Sequence, residues 1–137
     1  MKTIILYYSL TGKTKALADE KAKELNADIE EITEVKKTSM FCAFFPGVFK
    51  AVKRKKTKIK PIKADLAGFE RIIIMAPVWA SNPAPAFNNI VELIPSGKKI
   101  ELIMVSAGGG TKESAKGTIE LFTSRGCEVV GYSDVKA

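Results

Sequence analysis

The chain has 137 residues, 46% of them apolar, with a net charge of +7, two cysteines and no histidine. This predicts a single domain, residues 1–137, with a real core and no wholesale disorder. It excludes Ser-His-Asp and Cys-His catalysis, disfavours zinc, and offers neither a membrane-length apolar run nor a signal-peptide start.

The first element is a buried-strand pattern, Lys2 to Tyr8, rich in β-branched and aromatic residues. A hydroxyl-rich turn, Ser9 to Thr14, separates it from a helical pattern with Ala16, Leu17, Ala18, Ala22 and Leu25 at helical spacing. A strand-to-helix turn aims free backbone N–H groups and the positive end of the helix dipole at one spot, where a phosphate binds. Ser9, Thr11 and Thr14 add hydroxyl donors and Lys13 adds a charge.

Ala27 to Thr33 reads as a short second strand. Residues 36–66 are the least regular part. Met40, Phe41, Phe44, Phe45, Val48, Phe49 and Val52 predict an apolar helix or helix-loop interrupted at Pro46 and Gly47, supplying the crossover to the third strand. Those phenylalanines suit the core. Residues 50–63 hold eight basic side chains and no acid, which leaves 14 basic and 15 acidic groups elsewhere. The excess charge thus belongs to one segment, read either as a docking surface for an acidic partner or as a solvated helix end. Nucleic acid is disfavoured, because no aromatics are interleaved with the lysines. Cys42 and Cys127 form no disulfide framework and suggest a reduced cytoplasm.

Glu70 to Ala76 is a continuous apolar run ending at Pro77, as for a strand buried on both faces. A loop from Ala76 to Pro85 carries the only tryptophan, Trp79. Pro85 opens a helix with Phe87, Ile90, Val91 and Ile94 on one face, and Pro95 closes it. Lys99 to Val105 is the fourth strand and leads into Ser106, Ala107 and three glycines, Gly108 to Gly110. A helix with Ala115, Thr118, Ile119 and Phe122 on one side stops at Gly126, and Cys127 to Tyr132 is the fifth strand.

Strands alternating with helices imply a parallel α/β sheet with right-handed crossovers. Ligands of such sheets bind outside the carboxyl ends of the strands, where strand order reverses. Three loops belong on that edge: the phosphate turn, the Trp79 loop and the glycine loop. Together they suit a planar ring with a phosphate tail, Trp79 stacking on the ring and the glycines letting backbone approach it. The plain alternatives are core packing for Trp79 and a flexible turn for the glycines. A nucleotide P-loop fails because Tyr7 stands where its first glycine belongs, and the dinucleotide glycine fingerprint fails with one glycine in the turn.

The chain resembles the flavodoxin family in its short-chain branch, through Tyr8 to Thr14, Ala76 to Ala80 and Ser106 to Gly110. The resemblance implies a three-layer, five-stranded parallel sheet in the order 2-1-3-4-5, bound FMN and electron transfer. Ser9, Thr11, Gly12 and Thr14 would hold the phosphate, with backbone amides of Leu10 and Lys13. Pro77, Val78, Trp79, Ala80, Ser81 and Asn82, with Ser106, Ala107, Gly108 and Gly109, would line the ring.

Four departures refine the expectation. Ala80 and Ser81 stand where members that stabilise one-electron-reduced flavin often have a glycine. The glycine loop lacks an aromatic for the second flavin face, leaving Phe44 or Phe45 to cover it or the face open to substrate. The family is typically acidic, so this basic chain calls for an acidic redox partner, docking at Lys50, Lys53, Arg54, Lys55, Lys56, Lys58 and Lys60. The family's final helix is missing, which would leave an apolar sheet face for a partner subunit, as in a homodimer. The leading expectation is a cytoplasmic FMN electron carrier acting between proteins. The rivals are a small NAD(P)H-dependent FMN or quinone reductase and a non-enzymatic phosphate-ligand module docking through the basic segment.

Overall fold

The computed structural model describes residues 2–36 and 53–137. The elements in chain order are β1 (Thr3–Tyr7), α1 (Lys13–Leu25), β2 (Asp28–Glu31), a 3-10 turn (Leu66–Gly68), β3 (Arg71–Trp79) and β4 (Asn82–Pro83). They continue with α2 (Pro85–Leu93), β5 (Lys99–Ser106), α3 (Ala115–Thr123) and β6 (Glu128–Lys136). Five strands run parallel in the order β2-β1-β3-β5-β6, and β4 folds back antiparallel onto β3. Apart from that added short strand, the order is the expected 2-1-3-4-5. Among the described residues, no helix is long and apolar enough to cross a membrane.

The layers arise from alternation along the strands. Ile4 and Leu6 of β1, Ile72 and Ile74 of β3, and Ile100, Leu102 and Met104 of β5 pack under α2 and α3 with Phe87, Ile90 and Phe122. Ile5, Tyr7, Ile73, Met75 and Ile103 face the other way and meet Ala18 of α1. Such β-branched and long apolar chains, buried on both faces, are what the central strands of a parallel sheet require. The apolar stripe of α1 is narrower than its spacing suggests: Ala18 is buried, whereas Ala16 and Leu25 are exposed. Pro85 begins α2 at its first turn, and Phe87, Ile90, Val91 and Ile94 are all buried.

Three expectations need correction. β3 does not stop at Pro77 but runs to Trp79, with Pro77 in register with Val105 and its carbonyl accepting from Ala84 N–H at 2.9 Å. The stretch predicted as a loop therefore begins as strand and turns in a two-residue hairpin. The last strand extends past Tyr132 to Lys136. The residues predicted to trail the sheet, from Ser133 onward, thus pair with β5 down to Ser106.

The third correction concerns the sheet face beyond α1. Met75, Ile103 and Val105, three of the apolar side chains expected to lie bare there, are only 2%, 6% and 5% exposed. Register puts Glu101, Gly131 and Ser133 on the same face, and Glu101 is ion-paired to Arg71. Gly131 leaves room for the Glu101 side chain, since a Cβ there would lie 3.2 Å from its Cγ. The groove between α1 and this face, about 230 Å³, has a mixed lining that includes Glu20, Lys21, Glu24, Ile103 and Val135. The bare apolar patch that motivated a partner subunit is not what the face presents.

The predicted helix-loop with Met40, Phe41, Phe44, Phe45, Val48, Phe49 and Val52 lies outside the described residues, as do Cys42 and Lys50. The segment from Lys53 to Ala64 is well anchored. Asn89 brackets Thr57, accepting from its N–H at 3.0 Å and donating to its carbonyl at 2.9 Å, while Asn88 donates to the Lys55 carbonyl at 3.2 Å. The segment then runs antiparallel beside Thr33–Val35, and the Glu30 carboxylate accepts from the N–H groups of Lys63 and Ala64.

Candidate functional site

β1, β3 and β5 are adjacent and parallel, so the turns after Tyr7, Trp79 and Ser106 share one edge of the sheet. Strand order reverses between β1 and β3, the position where open α/β sheets bind ligands.

The first turn is built by Ser9 and Gly12. Ser9 Oγ accepts from the N–H groups of Gly12 at 3.0 Å and Lys15 at 3.3 Å, capping α1 from outside its first turn. Gly12, the N-cap, has φ +95°, a left-handed conformation that a side chain resists, and a Cβ there would meet nothing within 4 Å. Among the described residues, the N–H groups of Lys13 and Thr14 have no backbone or side-chain acceptor. The first turn of α1 has no acidic residue and carries Lys13 and Lys15. Lysines there oppose the helix dipole, at about 0.3–1 kcal/mol each when a site is exposed, so the arrangement suits an anion supplied from outside. Lys15 is held by Asp19, 3.1 Å away, and that hydrogen bond raises its pKa. Thr14 is buried under the turn at 2% exposure, whereas Thr11 and Lys13 are exposed and Leu10 is half-buried.

The second turn is a hairpin. Val78 pairs with Pro83 and Trp79 with Asn82, leaving Ala80 and Ser81 as the two turn residues with φ +51° and +63°. Two left-handed residues make the tight mirror-image turn of hairpins, which normally takes Asn-Gly or Gly-Gly. Left-handed backbone costs an ordinary side chain roughly 1–2 kcal/mol. Two side chains hold the turn: Asn82 Nδ2 donates to the Ala80 carbonyl at 2.9 Å, and Ser114 Oγ donates to the Ser81 carbonyl at 2.6 Å. Trp79 is half-buried. It packs against the core layer of α2 and α3, with the Tyr8 ring edge-on to it.

The third turn is anchored from β6. Ser106 Oγ accepts from Gly110 N–H at 3.2 Å, and its carbonyl accepts from Ala137 N–H at 2.8 Å. Thr111 is fully buried and its hydroxyl meets both Tyr132 Oη and, at 2.7 Å, Asp134 Oδ1. Burial, with Asp134 nearby, raises the Tyr132 pKa against the lowering effect of the Thr111 hydrogen bond. A Cβ on Gly110, at φ +68°, would lie 3.5 Å from Asp134 Cγ. Ala107, Gly108 and Gly109 are exposed, and nothing lies within 4 Å of a Cβ built on Gly109.

The sixteen residues singled out in the sequence as cofactor-binding thus lie in these three turns or in the strand and helix ends that flank them. Those missed are the supports: Glu34, which accepts from the Tyr8 hydroxyl, Ser114 on the hairpin, and Thr111, Tyr132 and Asp134 under the glycine loop. The hydrogen bonds from Tyr8 to Glu34, from Thr111 to Tyr132 and Asp134, and from Ser114 to Ser81 span 21 to 33 positions, so periodicity carried no sign of them. A separate groove of about 1180 Å³ lies beside β2 and residues 60–69, but it gathers no comparable set of turns.

The NADPH-dependent FMN reductase family aligns over residues 1–135. This chain belongs to that family. FMN is the cofactor of this flavodoxin-like protein. No curated protein matches the chain at significance. Among solved structures, the chain is similar to a Lactobacillus acidophilus flavoprotein in complex with FMN (TM-score 0.76, 22% identity, 97% of this chain and 92% of that one). It is also similar to a Bacteroides eggerthii protein provisionally named a flavoprotein (TM-score 0.84, 16% identity, 97% and 87%). A third is a Fusobacterium nucleatum flavodoxin bound to FMN (TM-score 0.53, 21% identity, 99% and 78%). At these identities the structural likeness speaks for the shared fold.

Proposed function

We propose that this family member is an NADPH-linked flavin oxidoreductase that holds FMN across the three turns. The observation that carries the reading is the α1 N-terminus: an acid-free first turn with two lysines, a left-handed glycine and amides that find no acceptor among the described residues, next to the Tyr8–Trp79 pair. In this reading the amides of Leu10, Lys13 and Thr14, with the hydroxyls of Thr11 and Thr14, hold the phosphate, and Ser9 shapes the turn. Pro77 to Asn82 line one side of the ring, and Ser106 to Gly109 approach it through backbone. FMN, when bound, supplies the hydride and electron chemistry.

The protein's contribution is orientation. Backbone N–H groups fix the tail, the hairpin places Trp79, and the glycine loop sets how closely backbone meets the ring. The match to the NADPH-dependent FMN reductase family favours the reductase over a buried-ring carrier. Anaerobic mixing of the flavin-loaded protein with NADPH tests this. Rapid bleaching of the flavin absorbance is expected. A flavin that stays oxidised with NADPH but is reduced by a protein donor would move the assignment to an electron carrier.

That carrier is the second reading, favoured by the basic segment. Lys53, Lys58 and Lys60 are exposed along a strip fixed to α2, as an acidic docking partner requires. Lys56 is ion-paired to Glu92 at 2.9 Å and Arg54 is turned inward, so neither is a plain docking cation.

A further inference from the structure

We propose that Arg54 is a positioning residue for the flavin-facing hairpin, acting through Ser114 and so tying the basic segment to the site. This rests on the reading of Trp79 to Asn82 as part of the ring-binding wall.

Arg54 differs from the lysines around it. It is half-buried while Lys53, Lys55 and Lys56 are exposed, and its backbone takes the left-handed φ of +52°. Its guanidinium lies on the first turn of α3. Nη1 donates to Thr118 Oγ1 at 3.0 Å and Nη2 donates to the Ser114 carbonyl at 3.1 Å. A planar fork can serve two acceptors at once, which a lysine ammonium on a flexible stem does poorly.

The helix is cut to receive it. Gly117 sits inside α3, where glycine is unfavourable, and a Cβ there would come within 3.0 Å of Arg54 Nη2. The notch explains a glycine that the helical pattern does not.

Ser114 is the next link. Its hydroxyl has one proton and two acceptors in reach, the Ser81 carbonyl at 2.6 Å and the Thr111 carbonyl at 3.3 Å. Pointed at Ser81, it holds a glycine-free turn in a conformation that the turn's own residues disfavour. Pointed at Thr111, it leaves the hairpin with Asn82 alone. Arg54, gripping the carbonyl of the same serine, sets where that hydroxyl sits. The two arrangements form a discrete element through which one segment biases another.

The test uses Arg54→Ala, Arg54→Lys, Ser114→Ala and the double variant, with Lys56→Ala as a control that removes the same charge from the same segment. Trp79 is the only tryptophan, so its emission in flavin-free protein reports the hairpin directly. FMN affinity comes from flavin fluorescence quenching.

Arg54→Ala and Ser114→Ala are expected to shift Trp79 emission alike and to weaken FMN binding about fivefold, the low end of typical site-to-site coupling. The double variant is expected to match either single one, and Arg54→Lys to follow alanine. Lys56→Ala should stay near wild type. If Arg54→Ala behaves as Lys56→Ala does in both readouts, or if the double variant is additive, the proposal fails. Should Arg54→Ala not fold, Arg54→Lys and Ser114→Ala decide by the same criteria. If the wild-type protein does not bind FMN, the flavin reading falls, and Trp79 emission alone still decides the coupling.

Discussion

The rings of Tyr8 and Trp79 meet edge to face, centroids 6.3 Å apart and planes at 74°. Tyr8 directly follows β1 and leads into the Ser9–Thr14 turn, and Trp79 ends β3 and leads into the hairpin, so this contact fixes one turn against the other. The Tyr8 hydroxyl donates to the Glu34 carboxylate, which also accepts from Thr57 Oγ1 at 3.0 Å.

Tyr8→Phe keeps the ring contact and removes the bond to the carboxylate. Hydrogen bonds to charged groups contribute about 1.5–3 kcal/mol, so the urea midpoint should fall accordingly. Trp79 emission should barely change, whereas Tyr8→Ala should shift it.

Ser81→Gly should stabilise the protein. The left-handed turn no longer strains a side chain, while the carbonyl that accepts from Ser114 is retained. A gain of about 0.5–1 kcal/mol in urea unfolding is expected, the strain relief being partly offset by the freer unfolded chain.

Much of this architecture was legible in the sequence, and the reasons differ by element. The run Ile72 to Met75 announced a doubly buried strand because both faces of the central sheet are apolar. The turn from Ser9 to Thr14 was legible because a strand-to-helix junction with a left-handed glycine needs local backbone geometry that a short motif can carry. The hairpin was not, since Ala80 and Ser81 lack the Asn-Gly signature and are held by Asn82 and the distant Ser114. The end of β6 was also hidden. Ser133, Asp134 and Lys136 give an edge strand no apolar signal, and its pairing is set by β5. Gly117 was the one local trace of Arg54.

Thr111→Val keeps the buried volume and removes the hydroxyl between Tyr132 and Asp134. Leaving such groups without their partner costs about 1–3 kcal/mol. The glycine loop should loosen with it, seen as faster hydrogen exchange at Gly108 to Gly110.

Alkaline pH should weaken the fold through its tyrosines. Burial raises the pKa of Tyr132, and burial followed by the Glu31 charge raises that of Tyr7. The folded state then keeps protons that the unfolded chain gives up near pH 10. Stability from this source is intact below about pH 10 and declines as pH rises through the folded-state values. Urea midpoints should drop as pH rises above about 10, and Tyr132→Phe should make that drop shallower.

Central to the account is a phosphate held by the turn at the head of α1. Titrating FMN and riboflavin with the protein, followed by loss of flavin fluorescence, measures it most directly, since the two ligands differ only in the phosphate. FMN should bind far more tightly, and Thr11→Ala combined with Thr14→Ala should narrow the gap by weakening FMN alone. Equal binding of the two flavins by the wild-type protein, or no quenching of FMN at all, would contradict it.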